Sequence, residues 1–473
     1  MNASCLCAGL AAIALFGGPA YAAAPASDQD PLGALRFALS SSSSQAKALR
    51  REVATGPAAL AHERALARRE GLAVFPAQLN RPLPPDDRNA APLYLKAAAL
   101  RRGRVRLPNY AETLSARFAY TPAQLDRVQK IYDDNPDVFA LLRSATDRPQ
   151  CVFARDWTKD AFSFPRQSPD FRETARELKT EGVLSAERGR YAEAVATENR
   201  VYRVAQHAAD EPTLISYLVA EAIDSIATSG MQDVLSLAGP NADVDALVGQ
   251  AVSDQSTRPS LRHALSGEAA ISDAGFSMLR RGGPGSLVSL FAVTLAAPRP
   301  AASFTPQERR FYAGLLDASE AASLHDVRAA VRAADTAGAS AALAQESREA
   351  QAPTDDLVQG VARRLSPLQF DILNGLPVRA AAARSVTRAA AAILAERAKT
   401  GAYPATLSGA FPDPYSPSKM LQYRREGDSG FVVYSVGPDG KGDGGKPGDA
   451  APLSDPRFRY PSVPIPVPAA DAR

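Results

Sequence analysis

Residue types that hold transition metals are scarce in this chain: its 473 residues include four histidines, three cysteines and one tryptophan. The histidines, His62, His207, His263 and His325, are scattered, which counts against a zinc site built from clustered His and Cys. Catalytic signatures are missing too. There is no Gly-x-Ser-x-Gly elbow, no His-Glu-x-x-His, no phosphate loop and no carboxylate pair in a recognisable surrounding. Charge of one sign is not in excess, since 54 basic and 51 acidic residues leave a net +3. Such a balance gives no argument for nucleic acid or an anionic membrane as the partner. Arg101-Arg102-Gly103-Arg104 is basic, but acids and apolar residues surround it, and a solvated helix end is expected there. The body has no apolar run of the roughly 18 residues needed to cross a bilayer.

Charge is also missing from residues 1–22, where 6–16 form an apolar run of secretory-signal length. Gly17, Gly18 and Pro19 break the run, and Ala20-Tyr21-Ala22 presents small residues at the two positions a signal peptidase reads. No Lys or Arg precedes it, which departs from the usual pattern. Cys5 and Cys7 come too early for a lipoprotein cysteine. Residues 1–22 are therefore expected to be a cleaved signal peptide, placing the mature protein in the periplasm or outside the cell. Cleavage would leave Cys151 as the one remaining cysteine, so no intramolecular disulfide could form and the fold must rest on its core. With no histidine at motif spacing, Cys151 is expected to be buried and structural.

From about residue 30 to Gly401 the pattern is helical: alanine and leucine abound and period-two alternation is rare. Thr121-Pro122-Ala123-Gln124 and Thr305-Pro306-Gln307-Glu308 both read as capping boxes with proline at the first helical position. Asn135-Pro136, Ser168-Pro169 and Glu211-Pro212 read as further helix starts. Asn89-Ala90-Ala91-Pro92-Leu93-Tyr94 opens another helix. Loops are expected at 81–85, 282–285 and 297–300, and the serine run 40–44 should interrupt a helix weakly. Glu187-Arg188-Gly189-Arg190-Tyr191-Ala192-Glu193-Ala194 looks like the turn of a tetratricopeptide helix pair. No second copy follows at a period of about 34 residues, so a lone helical hairpin is expected rather than an array. Ion pairing with Arg188 or Arg190 should account for Glu187 and Glu193, while Trp157, Phe162 and Phe164 should be core.

After Pro377 the pattern tightens. Val386, Ala390, Ile393, Leu394 and Ala398 make one apolar stripe, and Gly401 closes that helix. Leu421 to Arg425 and Phe431 to Val436 read as the strands of a hairpin, and no sheet is expected before Leu421. Gly437-Pro438-Asp439-Gly440-Lys441-Gly442-Asp443-Gly444-Gly445 then forms a glycine-aspartate loop.

The order of these words, with Gly401-Ala402-Tyr403-Pro404, Asp413-Pro414, Tyr423, Phe431-Val432-Val433-Tyr434-Ser435-Val436-Gly437 and Asp439-Gly440, resembles the soluble part of type II secretion major pseudopilins, general secretion pathway protein G. The whole layout resembles uncharacterised exported bacterial proteins with such a tail. A pseudopilin opens with a membrane-spanning helix; here the segment follows a long body with no such span, so the usual route into a pilus is closed. The resemblance implies a calcium-holding loop. Asp439 matches the family's first aspartate, and Asp449 or Asp455 its later one; Asp443 has no secure counterpart. Calcium takes about 6–8 hard oxygens, which aspartates and glycine-freed carbonyls can supply. Lys441 stands where an EF-hand needs an oxygen, and a solvated turn is the competing account.

The expectation is thus a mainly α fold, irregular and hairpin-packed, with a small α+β C-terminal module containing a β-hairpin. Its divisions would be a signal at 1–22, a helical body at 23–375 with a sub-boundary near 282–300, a pseudopilin-like module at 377–460, and a proline-rich tail at 461–473. The functional expectation is an exported envelope binding or adaptor protein with a calcium-stabilised tail, its partners envelope or secretion-system proteins. The alternatives are a type II secretion-associated factor and an enzyme with an unrecognised site in the body.

Overall fold

The computed structural model describes residues 31–109, 114–162, 168–254, 261–284, 286, 304–334, 356–365, 370–438, 440, 444, 456–461 and 464–467. The chain is mainly helical, with a few small strands concentrated at its C-terminal end. The helices are α1 (Pro31–Ser40), α2 (Ser44–Arg69), α3 (Ala91–Arg101), α4 (Pro122–Asp134), α5 (Pro136–Thr146), α6 (Trp157–Asp160) and α7 (Ser168–Glu187). They continue with α8 (Tyr191–Ala209), α9 (Leu214–Ala238), α10 (Ala242–Ser253), α11 (Leu261–Gly282), α12 (Pro306–Ala334), α13 (Leu357–Leu365) and α14 (Phe370–Thr400).

Local chemistry explains most boundaries. Both capping boxes form: Thr121 Oγ1 accepts the Gln124 amide at 3.2 Å while Gln124 Oε1 accepts the Thr121 amide at 2.9 Å. Thr305 and Glu308 make the same exchange at 3.1 and 2.7 Å. Within the serine run, Ser43 caps α2 by accepting the Ala46 amide. Gly189 (φ 76°) turns α7 into α8, and Gly401 (φ 78°) ends α14, as expected of left-handed positions. Two starts differ. Asn135 makes no cap, its side-chain amide donating instead to Ile131 O, and α9 begins two residues after Pro212, where Thr213 accepts the Ser216 amide.

Packing does not follow chain order. One core unites Tyr94 of α3, Phe139 of α5, Leu178 and Leu184 of α7, Tyr202 of α8 and Met231 of α9 with Val386 and Leu394 of α14. A second core joins α1 and α2 to α11, α12 and α13 through Leu35, Val53, Phe276, Leu315 and Val361. The helices that begin the body therefore pair with those preceding α14. Ala398, assigned to the α14 stripe, is exposed; Ala382, Ala389 and Ala391 are buried, so the covered face is broader and lies further back.

The C-terminal sheet consists of β4 (Gln422–Glu426), β5 (Gly430–Tyr434) and β6 (Arg457–Tyr460), antiparallel throughout. Its central strand packs Phe431 and Val433 into the first core beside Tyr403, Leu421 and Phe458. A hairpin of β2 (Pro412–Asp413) and β3 (Ser416–Met420) precedes Leu421, and β1 (Phe118–Ala119) pairs in parallel with β7 (Ile465–Pro466). The expectation of no sheet before Leu421 fails at both places, because the two-residue strands β1, β2 and β7 leave no alternation to read and the five residues of β3, Ser-Pro-Ser-Lys-Met, carry no apolar alternation.

Candidate functional site

None of the four aspartates expected to hold calcium, Asp439, Asp443, Asp449 and Asp455, lies among the described residues. What is described around them is the frame. Asp413 is fully buried, where its carboxylate accepts Ser435 Oγ at 2.7 Å, the Val436 amide at 2.7 Å and the Tyr415 amide at 3.0 Å. Both oxygens are occupied, so Asp413 is an anchor tying the 412–415 turn to the chain leaving β5. Gly440 and Gly444 take positive φ, and Gly444 O accepts Arg424 Nη1 of β4 at 3.1 Å. No group of three or more His, Cys, Asp or Glu positioned to hold a metal occurs among the described residues.

Other expected residues resolve into structural roles. Cys151 is buried, its amide donates to Asp210 Oδ2 at 2.8 Å, and burial followed by the Asp210 and Glu211 charges pushes its thiol well up. His207 lies in the same buried region, but its two ring nitrogens are engaged by Tyr94 Oη and Arg148 O, each at 2.9 Å. Glu193 pairs with Arg190 as expected, whereas Arg188 reaches Asp126. Trp157 is core, but Phe162 is exposed, so the assignment of Phe162 fails; Phe164 lies outside the described residues. In the basic cluster Arg104 is a helix-end cation forked onto Asp137, but Arg101 is buried against Glu177. Burial there is tolerated because the guanidinium meets two carboxylates, Glu177 at 3.2 Å and Glu173 at 3.3 Å.

The concave site that sequence reasoning missed lies between α2, α11 and α12. Gly56 of α2 and Gly314 of α12 meet without side chains, so the two helices cross closely. Two turns beyond that crossing, Arg64 reaches Asp273 of α11 at 2.6 Å and also contacts Glu320 of α12. Arg280 of α11 bridges Asp317 at 2.7 Å and Glu320 at 2.6 Å. Helical spacing permits this: Asp273 and Arg280 are two turns apart on α11, and Asp317 and Glu320 one turn apart on α12. Arg64, Asp273, Arg280 and Asp317, together with Pro57, Leu60, Ala61, Phe75 and Ser277, line a groove of about 520 Å³, while Glu320 is buried. The Arg64 guanidinium also sits 4.9 Å from the centre of the Phe75 ring, within cation–π range.

The electrostatics follow from burial. Partial burial, then the neighbouring Glu320 charge, raises the Asp273 carboxyl to about 6. Burial opposes the charge on Arg280, but Glu320 and Asp317 outweigh it and hold that guanidinium above its usual value. A second hollow of about 290 Å³ lies further along α11, lined by His263 and Ser266 together with Gln78, Arg81 and Pro212. Burial lowers His263, whose Nε2 lies 3.2 Å from Asp210 O.

The signal that could have found the groove was the i, i+7 pair Asp273/Arg280 facing the i, i+3 pair Asp317/Glu320. Such charges ordinarily read as solvated helix faces, and only the packing of α11 against α12 brings them together. Comparison with family models, curated proteins and solved structures finds no match. Among the described residues, no helix is long and apolar enough to cross a membrane.

Proposed function

We propose that this chain is an exported envelope protein that binds a partner in the groove between α2, α11 and α12 and carries a calcium-stabilised, pseudopilin-like tail. The groove carries this reading. Its two arginines, Arg64 and Arg280, are held at fixed positions by Asp273, Asp317 and the buried Glu320, beside the apolar Leu60, Ala61 and Phe75. Polar groups held in place before binding spare a complex part of its ordering cost, which suits recognition of a polar chain with an apolar anchor. Asp439, Asp443, Asp449 and Asp455 are the proposed calcium ligands, and their hard carboxylate oxygens fit that ion. The positive-φ glycines at 437, 440 and 444 support a loop able to turn carbonyls inward.

The test is a photo-crosslinking side chain at Ser277 of the full chain, irradiated in its native envelope. A discrete adduct, weakened when Arg280→Ala is added, is the expected result. An adduct pattern no different from that of a crosslinker at the exposed Leu95 overturns it. Two other readings each have an observation behind them. A type II secretion role is favoured by the Asp413 anchor, which falls on an aspartate of the resemblance; a pseudopilin crosslinked from exposed Met420 would choose it. An enzymatic role is favoured by Asp273, whose carboxyl near 6 could exchange protons close to neutrality. Hydrolysis of a peptide or glycan panel, abolished by Asp273→Asn, would choose that one.

A further inference from the structure

Glu198 sits at the middle of the first core, on α8, fully buried. Neither carboxyl oxygen has a hydrogen-bond partner among the described residues. Its neighbours on both sides are glycines. A β-carbon on Gly182 of α7 would come within 2.4 Å of Glu198 Oε1, and one on Gly230 of α9 within 2.0 Å of Oε2. Three helices thus meet around one carboxyl group, which occupies the space two missing side chains leave.

The groups facing it do not neutralise it. From α7, Lys179 is committed to Asp233 Oδ2 and to Leu114 O, both at 2.9 Å, and Glu181 is committed to Arg143 of α5 at 2.7 Å. From α9 comes Asp233, a like charge, and from α4 Tyr132, whose hydroxyl donates to Glu177 O. The packed face of α10 brings the apolar Val244, Val248 and Ala251. Burial, only partly opposed by Lys179 and reinforced by Asp233 and Glu181, pushes the carboxyl well above the usual carboxylate range. An ionised carboxylate without a partner is far costlier in such a place than a neutral acid.

We propose that Glu198 is a proton-operated lock on the α7–α8–α9 bundle: protonated, it lets the three helices meet at Gly182 and Gly230, and ionisation loosens them. The sign follows from linkage. The folded state keeps a proton that the unfolded chain releases at ordinary carboxylate pH. Stability from this group is therefore complete below that range and is lost as pH rises toward the folded-state value.

The experiment is hydrogen exchange on the full chain from pH 5 to 9, corrected for intrinsic exchange rates. In the native protein, opening of the α8 amides should rise by up to about tenfold per pH unit, the limit for release of one proton. In Glu198→Gln this pH dependence should vanish, while α12, outside the bundle, should respond alike in both proteins. Should the glutamine variant fail to fold, Glu198→Leu, similar in volume, serves for the comparison. The proposal is overturned if native α8 opening is independent of pH, or if native and substituted proteins share one pH dependence.

Discussion

Gly56 and Gly314 face each other across the α2–α12 crossing so closely that neither position has room for a side chain. A β-carbon on Gly56 would lie 2.5 Å from the Gly314 carbonyl oxygen, and one on Gly314 would lie 2.6 Å from the Val53 carbonyl oxygen. Backbone cannot yield as a side-chain tip can, so Gly56→Ala should destabilise the protein by about 1–3 kcal/mol through overpacking. Gly249 in α10 has open space around it. Gly249→Ala should therefore stabilise by up to about 1 kcal/mol through helix propensity. Urea unfolding of the two variants should give shifts of opposite sign.

The helix caps offer a calibration. Thr305→Ala removes the acceptor for the Glu308 amide and should cost about 1 kcal/mol. Thr121→Ala at α4 should cost a similar amount, measured the same way. A loss at one site alone would mean that the other helix start is held by its packing.

Asp413 should matter more than its place in a short turn suggests. Asp413→Ala would strand the Ser435 hydroxyl and the Val436 amide, and unsatisfied buried donors cost about 1–3 kcal/mol each. Limited proteolysis should then cut near 435–445 before the helices are attacked. Asp428→Ala, at an exposed hairpin turn, should leave the cleavage pattern unchanged.

The groove should titrate. Asp273, raised to about 6 in the folded protein, contributes stability fully present below its ordinary value of 3.8 and lost as pH rises through about 6. Carbon-13 NMR of the Asp273 carboxyl should place its midpoint there. Glu320→Gln removes a repelling charge and should move that midpoint down.

Calcium is tested on the full chain, because the module's sheet shares its core with the helices. At free calcium about 100 times the dissociation constant, binding would add about 2.7 kcal/mol. The protein should then melt higher in calcium than in chelator, with Asp439→Ala erasing the difference and Ser429→Ala keeping it. Identical melts in calcium and chelator would leave the loop a turn without metal.

Local chemistry in the sequence was sufficient for the helices, the caps at Thr121 and Thr305, the left-handed glycines 189 and 401 and the β4–β5 hairpin. Each depends on residues a few positions apart, whose preferences act before any tertiary contact forms. Signals this short could not say that α2 pairs with α12, that β7 returns to β1, or that Arg101 is buried rather than solvated. Those outcomes depend on which faces meet across long stretches of chain. The groove and the Glu198 lock are of the same kind. Gly56, Gly314, Gly182 and Gly230 read in sequence as weak points in helices, and only close helix crossings turn them into the space that brings Arg64 to Glu320 and encloses Glu198. Burial and charge neighbours then decide the protonation of Asp273 and Glu198, and these exist only once distant helices have packed.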